Sequence, residues 1–180
     1  MTTPVWIFAY GSLIWRPGFP VADRQRVSVQ GYARRFWQGS HDHRGTPGNP
    51  GRVVTLVAEP GANCHGLALQ LPRDKQEEIL DELDYREKDG YERVLLTVQR
   101  LNGTSFDALT WVACHDNPSW LGAASISCLV EQINSAEGLS GANGDYVIQL
   151  DSALKSLGIV DLHVQAIADE LTSLRTKCQP

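Results

Sequence analysis

The spacing of apolar residues changes character once along this chain, and that change limits the folds open to it. Ahead of residue 118 they fall in short β-branched and aromatic runs, at 5–8, 27–37, 53–58, 64–71, 91–101 and 106–114. Beyond it they recur at helical spacing over 119–136, 145–157 and 161–177, with glycine-bearing breaks between. One helix is embedded among the strands at 72–84, with Pro72 near its start and acids through its early turns. Strands grouped early and helices grouped late describe an α+β chain with a helical C-terminal third, not a βαβ series. Gly31 interrupts the run 27–37 and predicts a bulge or bend of the kind that curls a sheet. A small curled or closed mixed β-barrel is therefore the expected core. Residues 61–63 predict a turn between two antiparallel neighbours, and Asn102-Gly103 predicts a tight hairpin. Two stretches, 15–20 and 39–51, are too rich in Pro and Gly for regular structure, and the longer one is either functional or mobile.

A length of 180 residues fits one domain, 1–180, with enough chain to enclose a substantial core. Hydrophobic residues at 42% and charged residues at 21% exclude wholesale disorder. A formal charge of -5 without a Lys/Arg cluster gives no sign of a nucleic-acid partner. The apolar runs fall short of the ~20 residues that cross a bilayer, so no membrane association is expected. Met1-Thr2-Thr3-Pro4 lacks the basic segment and apolar core of a signal peptide, which points to the cytoplasm. Cys64, Cys114, Cys128 and Cys178 show no CxxC spacing and read as free thiols in a reducing compartment. No helix carries a sustained heptad seam, so a monomer is the default.

Two stretches carry the candidate chemistry. In Phe8-Ala9-Tyr10-Gly11-Ser12-Leu13-Ile14-Trp15 a buried strand runs into a tight loop. Gly11 allows a sharp turn and close approach of a ligand to the main chain, where the amides of Gly11, Ser12 and Leu13 can converge on one oxygen. The second stretch is Asp84-Tyr85-Arg86-Glu87-Lys88-Asp89-Gly90-Tyr91. If the helix continues to Glu87 at ~100° per residue, Ile79, Leu80 and Leu83 define its apolar arc and Glu87 falls inside it. Glu77, Glu78, Asp81 and Glu82 lie on the opposite side. A carboxylate held in an apolar pocket has its ionised form disfavoured, which suits a group that both takes and gives a proton near neutral pH. The alternative is that Glu87 pairs with Arg86, Lys88 or Arg93 at the helix end.

These stretches, together with Gly31-Tyr32-Ala33-Arg34-Arg35-Phe36-Trp37-Gln38-Gly39-Ser40, Asp42-His43-Arg44-Gly45-Thr46-Pro47 and Pro50-Gly51-Arg52-Val53-Val54-Thr55-Leu56, resemble the ChaC family of glutathione-specific γ-glutamylcyclotransferases. The resemblance continues through Asp116-Asn117-Pro118, Leu121-Gly122 and residues 143–146, and so covers most of the chain. It implies a small barrel flanked by helices. It also implies cleavage of glutathione to 5-oxoproline and cysteinylglycine, with no metal or organic cofactor. Carried over residue by residue, Glu87 matches the catalytic glutamate, and Tyr10, Gly11, Ser12 and Leu13 match the substrate-binding loop. Tyr146 matches a family tyrosine placed beside the substrate or else buried as structure. Arg44 is a candidate partner for the glycyl carboxylate of glutathione, or a solvated loop arginine. Where the family's loop has two glycines before its tyrosine, this chain has Asp89 before Gly90.

Other chemistries are less well served. His41-Asp42-His43, Cys64-His65 and Cys114-His115 offer metal ligands but no zinc-like spacing. Gly11-Ser12-Leu13 lacks the flanking glycines of a serine-hydrolase elbow. A protein that binds a γ-glutamyl or amino-acid ligand without turnover, and a cyclotransferase for another γ-glutamylamine, remain open, with Trp15 and residues 39–51 as the expected specificity determinants.

Overall fold

The computed structural model describes residues 4–87 and 90–177; Lys88, Asp89 and Cys178 lie outside the described residues. Five strands, β1 (Trp6–Ala9), β2 (Asp23–Ser40), β3 (Gly51–Gln70), β4 (Tyr91–Arg100) and β5 (Ser105–Ala113), close into a barrel in the order β1-β3-β2-β4-β5. The barrel is mixed, since β1 runs antiparallel to β3 and parallel to β5. Four α-helices are described, α1 (Gln76–Arg86), α2 (Ile126–Ser135), α3 (Asn143–Ser156) and α4 (Leu162–Lys177), with a short hairpin of β6 (Glu137–Gly138) and β7 (Gly141–Ala142) between α2 and α3. This is the α+β class with a helical C-terminal third that the apolar spacing predicts.

Two expectations change. Residues 53–58 and 64–71 do not form a hairpin about residues 61–63; they belong to the single strand β3. Gly61 adopts φ +83°, and Gly31 in β2 adopts φ +79°. Only glycine takes that conformation cheaply, so the chain bends within the strand where a turn would otherwise form. The neighbours of β3 are β1 and β2, and β1 pairs antiparallel with its last residues, Leu67 to Gln70. The second change is the helix expected over 119–136, which begins only at Ile126. Residues 119–122 pair with the end of β2 instead: Gly39 N–H donates to Ser119 O, and the amides of Leu121 and Gly122 both donate to Trp37 O. Ser125 then caps α2 by accepting from the Cys128 amide at 3.3 Å.

The chain divides into two compact units, Met1–Arg34 with Leu56–Pro118, and Arg35–Thr55 with Ser119–Pro180. In the first, β1 is buried along its whole length, with Ile7, Phe8 and Ala9 at most 1% exposed. A strand hydrogen-bonded on both edges and covered on both faces reads as a continuous apolar run, which is what Trp6-Ile7-Phe8-Ala9 supplies. Thr110 Oγ1 donates to Phe8 O at 2.8 Å, so the polar atom buried here is satisfied. The β4–β5 ladder runs from Tyr91↔Ala113 to Gln99↔Ser105 around the Asn102-Gly103 turn, as predicted. α1 buries Ile79 and Leu83, and each such side chain contributes about 1.5–3 kcal/mol. In the second unit α2, α3 and α4 pack on one another, and Leu129, Ile133, Leu150, Leu154, Ile167 and Leu171 on them are buried.

Candidate active site

The first unit brings the loop after β1 and the end of α1 together. β1 leads into a single 3-10 turn, Ser12–Ile14, closed by Ile14 N–H donating to Gly11 O at 3.0 Å and Arg16 N–H donating to Ser12 O at 2.8 Å. The earlier amides, those of Gly11, Ser12 and Leu13, open the turn and have no carbonyl one turn back to bond. Tyr10 is buried, and its hydroxyl donates to Trp111 O at 2.6 Å. Arg34, 1% exposed, donates from Nε to Tyr10 O and from Nη2 to His65 O, both at 2.6 Å. The main chain just ahead of the turn is thus held by a buried cation.

Glu87 stands at the C-cap of α1, where its amide donates to Leu83 O at 2.9 Å. Its side chain is 21% exposed, whereas Glu77, Glu78, Asp81 and Glu82 are all exposed, so the helical arc does place it on the sheltered side. It pairs with Arg86, Nε to Oε1 at 3.2 Å, and Arg93 pairs with Asp84 at 3.1 Å; the pairing considered with Lys88 lies outside the described residues. Arg86 also reaches the loop, its Nη2 donating to Ser12 Oγ at 2.9 Å. Asp84 accepts from Trp111 Nε1 at 2.9 Å, which fixes the last turn of the helix to β5. Glu87 and Ser12 therefore share one guanidinium.

The second unit holds the other two candidates. Arg44 sits with its guanidinium 5.6 Å from the centre of the Tyr146 ring and donates from Nη1 to Ala142 O at 3.2 Å. Tyr146 is buried on α3, lies edge-on to Phe36, and accepts at its hydroxyl from the Val54 amide at 3.4 Å. The segment carrying Arg44 is tied down. Leu139 N–H donates to Asp42 O and Ser140 N–H to His43 O, linking it to the β6–β7 hairpin, while Asn49 Nδ2 donates to Ser135 O. Beneath it, Asn143 is fully buried and exchanges two hydrogen bonds with the main chain of Arg52, at 2.7 and 2.8 Å. The Arg52 guanidinium donates to Gln132 Oε1, Phe36 O and Gly122 O, and burial pushes its pKa down.

Arg34 and Asn143 have no role of their own in the sequence reading, and Arg86 enters it only as a possible ion-pair partner of Glu87. Its bond to Ser12, 74 residues away in the chain, leaves no signal in the sequence. Among the described residues no three His, Cys, Asp or Glu side chains are grouped to hold a metal ion; His43 Nδ1 lies 3.1 Å from Ser140 Oγ. Cys64, Cys114 and Cys128 form no disulfide. Burial first, then a hydrogen bond to Glu92 and the charges of Glu92 and Asp116, push the Cys114 thiol up, which is contrary to what a thiolate nucleophile needs.

Residues 5–174 match the family model described as ChaC-like protein. Gamma-glutamylcyclotransferase 2-3 of Arabidopsis thaliana is 37% identical over 184 residues, covering 97% of this chain and 92% of the plant protein. Glutathione-specific gamma-glutamylcyclotransferase 1 of Homo sapiens is 37% identical over 176 residues, covering 94% of this chain and 79% of the human protein. The crystal structure of a yeast γ-glutamylcyclotransferase specific to glutathione matches with a TM-score of 0.85 at 25% identity, over 96% of this chain and 100% of the yeast one. The chain belongs to the ChaC-like protein family.

Proposed function

We propose that this chain, acting over 1–180 as one γ-glutamylcyclotransferase-like domain, cleaves glutathione to 5-oxoproline and cysteinylglycine. The observation that carries the mechanism is the half-buried Glu87 carboxylate at the end of α1, joined through Arg86 to Ser12 of the loop. The γ-glutamyl group brings its own nucleophile: the α-amine nitrogen bonds to the γ-carbonyl carbon, a five-membered ring closes, and the amide bond to cysteine breaks. Holding amine against carbonyl supplies a large effective concentration. The α-nitrogen starts mostly as an ammonium at neutral pH and ends as the lactam N–H, so it sheds two protons; the departing nitrogen gains one to leave as an amine and a second to become the ammonium of cysteinylglycine, and Glu87 carries them across one at a time. The γ-carbonyl oxygen gains charge on the way, and the amides of Gly11, Ser12 and Leu13, which begin the 3-10 turn, are the donors assigned to it. Tyr10 anchors that loop; Arg44 as a partner of the glycyl carboxylate, and Tyr146 as a residue beside the substrate, rest on the sequence resemblance.

The proposed setting is the cytoplasm, as a monomer: glutathione is a reducing-compartment metabolite, and cysteines outside any disulfide suit the same compartment. Incubation with reduced glutathione, and separately with a panel of γ-glutamyl amino acids and γ-glutamylamines, is expected to release 5-oxoproline from glutathione as read by mass spectrometry. Turnover of a different γ-glutamyl compound alone would keep the chemistry and remove the substrate; ligand binding with no product would make the chain a binding protein.

A further inference from the structure

The geometry points to Arg86 as a positioning residue that sets both the aim of the Glu87 carboxylate and the direction in which the Ser12 hydroxyl donates. This rests on the reading of Glu87 as the proton-transfer group. A guanidinium carries only donors, so Ser12 Oγ, 2.9 Å from Nη2, must accept from it. The hydroxyl proton of Ser12 is then turned away from Arg86 and left to donate to an oxygen arriving at the loop. With Arg86 removed, Ser12 can equally present a lone pair, and the loop loses a donor it had fixed.

At Glu87 the same side chain answers a local penalty. The negative end of a helix disfavours a carboxylate at its C-cap, and a cation in the last turn offsets this. Arg86 is the basic residue in the last turn of α1, and its Nε lies 3.2 Å from Oε1. Asp84, three residues from Glu87, fixes the helix end to Trp111 and Arg93, so Arg86 works from an anchored base. Half-exposed arginine pairs contribute little to stability in general, so the effect belongs to the reaction and not to folding.

The test is a double-mutant cycle on glutathione turnover with Arg86→Gln, Ser12→Ala and the pair, plus Arg86→Lys. Arg86→Gln is expected to lower kcat about tenfold with KM changed less than threefold. The double variant is expected to be no slower than about twice the slower single variant. Lysine, a point charge without the planar fork, is expected to restore only part of the rate. Amide hydrogen exchange on the same proteins reads the contact without any turnover. The Ile14 and Arg16 amides, bonded within the turn, should exchange several-fold faster in Arg86→Gln, while Ile7 and Phe8 in β1 should not change. An Arg86→Gln rate within twofold of the parent, single effects that simply multiply, or unchanged exchange in the turn would each overturn the proposal. A parent protein that leaves glutathione intact would instead defeat the substrate assignment, with the exchange measurement still deciding the role of Arg86.

Discussion

The two clusters of site residues are built on opposite plans. In the first unit Glu87, Arg86 and Ser12 meet through side-chain tips at the ends of elements, with the Arg86 side chain 39% exposed and that of Glu87 21% exposed. In the second, Asn143, Arg52 and Tyr146 are at most 7% exposed, and their contacts run largely to main-chain atoms. Side-chain pairs near water stabilise weakly and adjust easily, whereas a buried polar group left without its partner costs its full desolvation. Substitution in the first cluster should therefore be felt as lost reaction rate, and in the second as lost stability.

The sharpest challenge to that contrast is Glu87→Gln. It should remove at least ~10²-fold of the 5-oxoproline rate, the scale of a lost general acid/base, while the thermal midpoint stays within a degree or two of the parent. A variant that instead unfolds would make Glu87 structural and erase the distinction. Next in size is Asn143→Ala. It strands an N–H and a carbonyl of Arg52 in the interior, so the urea midpoint should fall by the equivalent of about 2–4 kcal/mol. A loss under about 1 kcal/mol would show the second cluster to be as pliable as the first. Arg44→Gln sits between the two plans, because Arg44 is half-buried yet assigned to the substrate. Its expected signature in steady-state kinetics is a KM for glutathione raised about tenfold with kcat within threefold, the scale of one charge-assisted hydrogen bond. A kcat loss without a KM change would move Arg44 out of substrate binding. The smallest effect belongs to Tyr10→Phe, which deletes one buried hydrogen bond to Trp111 O and should cost about 1 kcal/mol in the same urea titration.

How far these clusters could be read beforehand follows from the range of the interactions behind them. The Asn102-Gly103 hairpin, the late helices α3 and α4, and the sheltered side of Glu87 depend on residues within a few positions of one another, and each was legible. Gly61-Ala62-Asn63 carries turn chemistry, and only the partners of β3 decide that the strand continues through it. The start of α2 was misread for a similar reason. Helical spacing says nothing of the bonds from Gly39 and Leu121 that tie 119–122 to the end of β2. Glu87 is visible through its arc and Arg86 as a possible partner beside it, but the bond from Arg86 to a hydroxyl 74 residues earlier in the chain is not.

The placement of β1 has a consequence for how the protein is made. Its four residues are all buried, yet their partners on one edge lie at Leu67 to Gln70 and on the other at Leu109, and the hydroxyl of Tyr10 waits for Trp111, 101 residues downstream. At about 5–20 residues per second, the ribosome delivers that last partner roughly 5–20 s after the strand itself emerges. Throughout that interval Trp6-Ile7-Phe8-Ala9 is an unpaired apolar segment of the kind that chaperones shield and that seeds aggregation. Nascent chains from which residue 109 has not yet emerged are therefore expected to be chaperone clients, and those that have exposed residue 113 outside the ribosome to have released them.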